Sequence, residues 1–239
     1  MVRLDKLLSD MGIATRSELR AMIKSGRVTV DGRAVTAPET KVDGEVNAVC
    51  LDGQALSYRK YRVYMMDKPS GVVTATEDRR EKTVLDLVSP EMRRMGLFPV
   101  GRLDKDTSGL LLLTNDGELA HRIISPRSGI EKKYHARVEG IPTEEDVRAF
   151  QKGVTLADGL ECLPAKLEIN GSDECFVTVM EGKYHQVKRM LASRGKKVLE
   201  LRRISIGALE LDKEMKPGDW RELDESDLCR VFSTDVLDK

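Results

Sequence analysis

The chain has 239 residues, of which 40% are hydrophobic and 33% charged, the make-up of a soluble globular protein with room for one large domain or a small one beside a medium one. No stretch approaches a membrane span, and the opening MVRLDKLLSD carries charges where a secretion signal needs an apolar core, so neither a membrane nor an export role is expected. Cys50, Cys162, Cys175 and Cys229 are dispersed, without a CxxC pair or clustered histidines, which predicts reduced thiols in the cytoplasm and no metal site.

The net charge of zero hides an uneven distribution. Between residues 182 and 203, Lys183, Lys188, Arg189, Arg194, Lys196, Lys197, Arg202 and Arg203 are opposed by Glu200 alone, whereas acids dominate 209–239. A basic segment on a neutral chain is expected to present one face to a polyanion; a solvated helix surface is the bland alternative.

In chain order, Leu4, Leu7, Leu8 and Met11 keep helical spacing up to a stop at Gly12. Thr15 and Glu18 form a capping box for a second helix that ends near Gly26. Along that helix Arg16, Arg20, Lys24 and Arg27 stack into one basic stripe. VTVDGRAV is then a hairpin turning at Asp31-Gly32, and short apolar pieces run to a linker near residue 60. Beyond it the strands are RVYMMD, LLLLT, KYHARV, AKLEI, CFVTVM and KVLELRRISI. The helices are TVLDLVSPEMRRM, ELAHRII, EEDVRAF and YHQVKRMLASRG. Strands and helices do not alternate regularly, so the fold class is α+β, with a small domain over 1–60 and a larger one over 61–239.

One feature of the larger domain calls for a chemical reading. In GRLDKDTSGLLLLTNDG, residues 101–117, a charged cluster abuts one of the most apolar runs of the chain. Charged groups rarely approach a core unless they are paired or needed. Asp104 is either a loop residue bonded to nearby amides or a carboxylate nucleophile, which can attack an electrophilic carbon without a separate base. In KKYHARV the alternation places Lys132, Tyr134, Ala136 and Val138 on one face and His135 on the other, so Tyr134 points inward and His135 is a surface residue. In YHQVKRML, Tyr184, Val187, Met190 and Leu191 form the apolar helix face and Lys188 sits on its flank.

The first fifty residues, from RLDKLLSDMG to VTVDGRAV, resemble the small RNA-binding domain named after ribosomal protein S-four. GRLDKDTSGLLLLTNDG resembles the signature of the pseudouridine synthases, and three further stretches match that superfamily in order: KPSGVVT, EKKYHARVEG and EGKYHQVKRML. The resemblance extends to the branch that modifies ribosomal RNA, and YHQVKRM favours its small-subunit members. It implies a catalytic domain on a mixed, mostly antiparallel sheet, and a uridine-to-pseudouridine isomerisation needing no redox cofactor, metal or ATP. The large-subunit RNA is the alternative substrate. The implied partner is ribosomal RNA or a partly assembled subunit, met by a monomer.

The same resemblance assigns roles. Asp104 starts cleavage of the glycosidic bond, through the ribose or the base. Tyr134 stacks on the flipped uracil, and Lys188 keeps Asp104 ionised, in a place where many synthases carry arginine. Arg102, Lys68 and Arg189 are expected to contact substrate, with Arg16, Arg20, Lys24 and Arg27 on the RNA backbone. Two rivals are weaker. A glycoside hydrolase built on Asp104 and Asp106 would need its carboxylates on opposite sides of a bond, and these lie two residues apart on one segment. A non-catalytic RNA-binding protein would not need Asp104, Tyr134 and Lys188 together.

Overall fold

In the computed structural model the described residues are 1–233; residues 234–239, the end of the acidic stretch, lie outside them. The chain divides into two compact units, residues 1–62 with 85–98, and residues 63–84 with 99–239.

The first unit opens with β1 (Val2–Arg3), α1 (Leu4–Asp10) and α2 (Arg16–Lys24). Short strands β2 (Val28–Val30), β3 (Arg33–Ala34), β4 (Lys41–Val42), β5 (Val49–Leu51) and β6 (Gln54–Ala55) follow. The apolar spacing does what it predicts: Leu4, Leu7 and Leu8 of α1 and Leu19 and Ile23 of α2 are fully buried together with Val28. The capping box is formed in both directions, the Thr15 amide donating to the Glu18 carboxylate at 2.8 Å. Asp31 and Gly32 both take the left-handed conformation, turning β2 into β3.

The helix expected over 83–95 is broken. A 3₁₀ turn spans Val84–Asp86, and α3 (Pro90–Arg94) starts anew behind Ser89, whose hydroxyl accepts the Met92 amide. The residue before a proline is pushed out of the helical region, and Ser89 is accordingly extended. Arg94 of α3 donates two hydrogen bonds to the Gly12 carbonyl, at 3.1 and 2.9 Å, so this segment packs with the N-terminal helices. The sequence boundary at residue 60 did not anticipate that return.

The second unit contains β7 (Val63–Lys68), β8 (Phe98–Pro99), where the chain passes between units, β9 (Ser108–Thr114), α4 (Gly117–Ile124), β10 (Lys132–Glu139) and α5 (Glu144–Lys152). It continues with β11 (Lys166–Ile169), β12 (Glu174–Val179), α6 (Gln186–Ser193), β13 (Lys197–Ile206), β14 (Leu209–Glu210), β15 (Trp220–Glu222) and α7 (Glu225–Phe232). The strands run in the order β11-β12-β10-β13-β9-β7-β15. Neighbours on that path are antiparallel except β9 and β13, which are parallel, so the α+β class and the mixed, mostly antiparallel sheet are as expected. Leu110 to Leu113 are completely buried, which explains an unbroken apolar run in place of alternation. A core of Ala136, Val138, Phe150, Val177, Met190 and Leu191 joins β10 and β12 to α5 and α6. The edge strand β15 and helix α7 have no counterpart in the sequence reading. Among the described residues no helix is long and apolar enough to cross a membrane.

Candidate active site

Strand register assembles the site. Tyr134 on β10 is opposite Arg203 on β13, Arg203 is opposite Gly109 on β9, and Gly109 is opposite Lys68 on β7. This row carries Tyr134 across the sheet to the level where β9 begins, beside the loop that holds Asp104. The close approach of β9 to β13 requires a glycine: Gly109 has φ +101°, and a Cβ there would lie 2.2 Å from the Arg203 carbonyl oxygen.

The 103–107 loop is fixed from beneath. Lys68 is completely buried, and its Nζ reaches the carbonyl oxygens of Pro69 at 3.0 Å, Asp104 and Lys105 at 3.2 Å and Thr107 at 2.8 Å. Thr74 Oγ1 donates to the Leu103 carbonyl at 2.7 Å, and the Gly71 amide donates to that of Lys105 at 2.8 Å. Lys68, expected at the pocket border as a substrate contact, is therefore corrected to a brace. Burial pushes its ammonium down to about 8, with the charges of Asp106 and Asp104 opposing. KPSGVVT earns its place by holding the backbone that presents Asp104.

Arg102, Asp104, Tyr134, Glu181, Lys183, His185 and Gln186 line one open pocket, floored by Leu103, Thr107, Val179, Val187 and Leu201. Asp104 is a quarter exposed. Its Oδ2 lies 3.1 Å from Lys188 Nζ and its Oδ1 3.4 Å from His185 Nε2. Lys188 also donates to Asp106 Oδ1 at 2.5 Å, which holds the Asp106 carboxyl below the usual carboxylate range. Asp104, Tyr134 and Lys188, distant in sequence, thus converge. His135 lies on the opposite face of β10, bonded to Glu174 at 3.0 Å.

Other expected contacts fare differently. Arg102 is exposed at the pocket, and Tyr134 is half-buried against the core. Arg189 lies outside the pocket lining and forms an ion pair with Asp158 at 2.5 Å, which already occupies its charge. The basic segment 182–203 is largely neutralised by acids from elsewhere: Arg194 by Glu145 and Asp146, Lys197 by Glu139, and Arg202 by Asp67. In the first unit all four stripe residues are exposed, but Arg27 is paired with Asp52 at 2.6 Å and Arg20 lies 3.5 Å from Asp5.

Three pocket residues escaped the sequence reading. Glu181 and Gln186 brace the turn before α6, Gln186 Nε2 donating to Glu181 Oε1 at 2.7 Å and the Lys183 amide to Gln186 Oε1 at 2.9 Å. His185 precedes α6 with φ +50°. The helix starts at Gln186, so Tyr184 is not on its apolar face as expected but 76% exposed. Nothing in the apolar periodicity of YHQVKRML distinguishes a helical Tyr184 from one in a turn.

Comparison with known proteins gives a consistent set of relatives. The family model described as RNA pseudouridylate synthase matches residues 62–193, and that described as S4 domain matches residues 2–47. A Bacillus subtilis protein named as an uncharacterized RNA pseudouridine synthase is 43% identical over 95% of this chain and 97% of its own. The ribosomal small subunit pseudouridine synthase A of Vibrio cholerae is 39% identical over 97% of this chain and 100% of its own, and that of Escherichia coli K12 38% over 96% and 100%. A crystal structure of a pseudouridylate synthase superposes with a TM-score of 0.68 at 33% identity, covering 97% of this chain and 100% of that one.

Proposed function

Since the chain belongs to the RNA pseudouridylate synthase family and isomerises uridine in RNA to pseudouridine, we propose that its substrate is small-subunit ribosomal RNA and that Asp104 is the essential carboxylate. The reaction breaks the bond between ribose C1′ and uracil N1, turns the base, and joins C1′ to C5. A proton leaves C5 and one is gained at N1, so atoms balance without an oxidant or a co-substrate. Asp104 starts the cleavage, with the Lys188 ammonium 3.1 Å from its Oδ2. Tyr134 packs on the flipped uracil, and its hydroxyl assists removal of the C5 proton. Arg102, at the same pocket, contacts the backbone or fills the space that the base vacates.

The observation that carries this reading is that Asp104 and Tyr134, from separate segments, line one pocket, while Lys188 from a third segment pairs with Asp104 at 3.1 Å. The choice of RNA rests on the relatives named for the ribosomal small subunit, similar over almost the whole chain. The first unit would recruit that RNA through Arg16 and Lys24, the stripe cations that form no salt bridge among the described residues. We take the enzyme to act as a monomer in the cytoplasm, on free RNA or a partly assembled subunit. Primer extension on carbodiimide-treated ribosomal RNA from a strain lacking the gene tests the substrate. One pseudouridine stop should vanish from the small-subunit RNA and return on complementation; its loss from the large-subunit RNA instead would overturn the choice.

A further inference from the structure

The pocket rim carries an aromatic group that the reaction as described does not use. Tyr184 is 76% exposed, yet its ring is not loose: it stacks on the His185 ring with centroids 3.8 Å apart and planes 18° from parallel. Tyr184 stands between Lys183 and His185, both of which line the pocket that holds Asp104. His185 makes the arrangement possible through a left-handed backbone, φ +50°, uncommon for a residue other than glycine. That conformation ends the 181–184 turn, starts α6, and aims the imidazole at Asp104, Nε2 lying 3.4 Å from Oδ1. One face of the tyrosine ring is covered by the imidazole, and the exposure of the residue leaves the other face open.

From this geometry we infer that Tyr184 is a stacking platform for a nucleobase flanking the target uridine, with His185 as the positioning residue that links this platform to Asp104. The inference rests on Asp104 being the reactive carboxylate. An unpaired purine or pyrimidine next to a flipped nucleotide has lost a stacking neighbour, and an aromatic face at the pocket rim replaces it. The ring reads no hydrogen-bond pattern, so it supplies affinity for an unstacked neighbour rather than a particular base. Because His185 touches both the platform and the carboxylate, a base seated on Tyr184 presses the imidazole toward Asp104. Correct docking of the flanking nucleotide is thereby coupled to the placement of the reacting group.

Tritium release from small-subunit ribosomal RNA labelled at uracil carbon 5, followed in single turnover over a range of enzyme concentrations, separates binding from chemistry. Tyr184→Ala should raise the enzyme concentration needed for half-maximal rate about tenfold, the range found for loss of a base–aromatic stack. The saturated rate should change far less, and Tyr184→Trp should restore the affinity while Tyr184→Leu does not. His185→Asn, which tolerates the left-handed backbone, should instead lower the saturated rate. Equal affinity of Tyr184→Leu and the unaltered enzyme would overturn the platform, and an unchanged saturated rate in His185→Asn would overturn the coupling. Asp104→Asn in the same assay keeps the two readings apart: activity there removes the premise, whereas its silence beside unaffected Tyr184 variants removes the platform alone.

Discussion

A lysine shared between two carboxylates sets the electrostatics of the pocket. Lys188 Nζ is closer to the exposed Asp106, at 2.5 Å, than to Asp104, at 3.1 Å. Lys188→Met removes the cation from both and should lower the saturated rate at least a hundredfold while changing RNA affinity little; Lys188→Arg should keep more activity because the charge is preserved. Asp106→Asn should be mild, leaving Lys188 to Asp104. Beneath them, Lys68 bonds four backbone carbonyls and has no exposure. Lys68→Met leaves buried acceptors unpaired, at about 1–3 kcal/mol for each group that finds no water. Denaturant unfolding should therefore show a loss of about 2–4 kcal/mol, and the rate should fall with the loosened Asp104 loop. An unchanged midpoint would mean the loop is held by Thr74 and Gly71 without it.

At the scale of elements, the site depends on β9 and β13 lying side by side in parallel. Gly109→Ala would force a methyl against the Arg203 carbonyl and strain a φ of +101°. Together these cost about 2–5 kcal/mol, read as a lowered Tm or as insoluble protein. The apolar patterns made most of these elements legible: the LLLLT run, the ten-residue KVLELRRISI strand and the Thr15 capping box stand where the sequence puts them. The helix expected over 83–95 is interrupted because Ser89-Pro90 breaks a pattern that otherwise keeps helical spacing. Lys68 departs from its expected place for a deeper reason. Its motif marks it as important, but only the folded pairing of β7 with β9 brings its ammonium to the backbone carbonyls that it bonds. His185 gives no signal in the sequence because its relation to Asp104 depends on its own left-handed backbone, which no periodicity encodes.

On the scale of the whole molecule, the charge of a sequence window is a poor guide to free charge. The basic run 182–203 is largely occupied by partners within the fold, whereas the N-terminal stripe keeps Arg16 and Lys24 exposed and without a salt bridge among the described residues. Reversing Arg16 and Lys24 to Glu should weaken RNA binding and flatten its salt dependence by about two in log–log slope. Reversing Arg27, already paired with Asp52, should have the smaller effect. An unchanged slope would reduce the stripe to a solvated helix face. The packing of residues 85–98 with 1–62 also bears on truncation. A chain starting at Tyr61 strips Arg94 and Met95 of the Gly12 region they pack on, and it should be less stable and less soluble than the full chain.

If Asp104 carries out the isomerisation of uridine in RNA, tritium release from uracil carbon 5 reports that chemistry directly. With small-subunit ribosomal RNA as substrate, the unaltered enzyme should release tritium, and Asp104→Asn should release none while binding the RNA with similar affinity. Release at a comparable rate by Asp104→Asn would contradict the account.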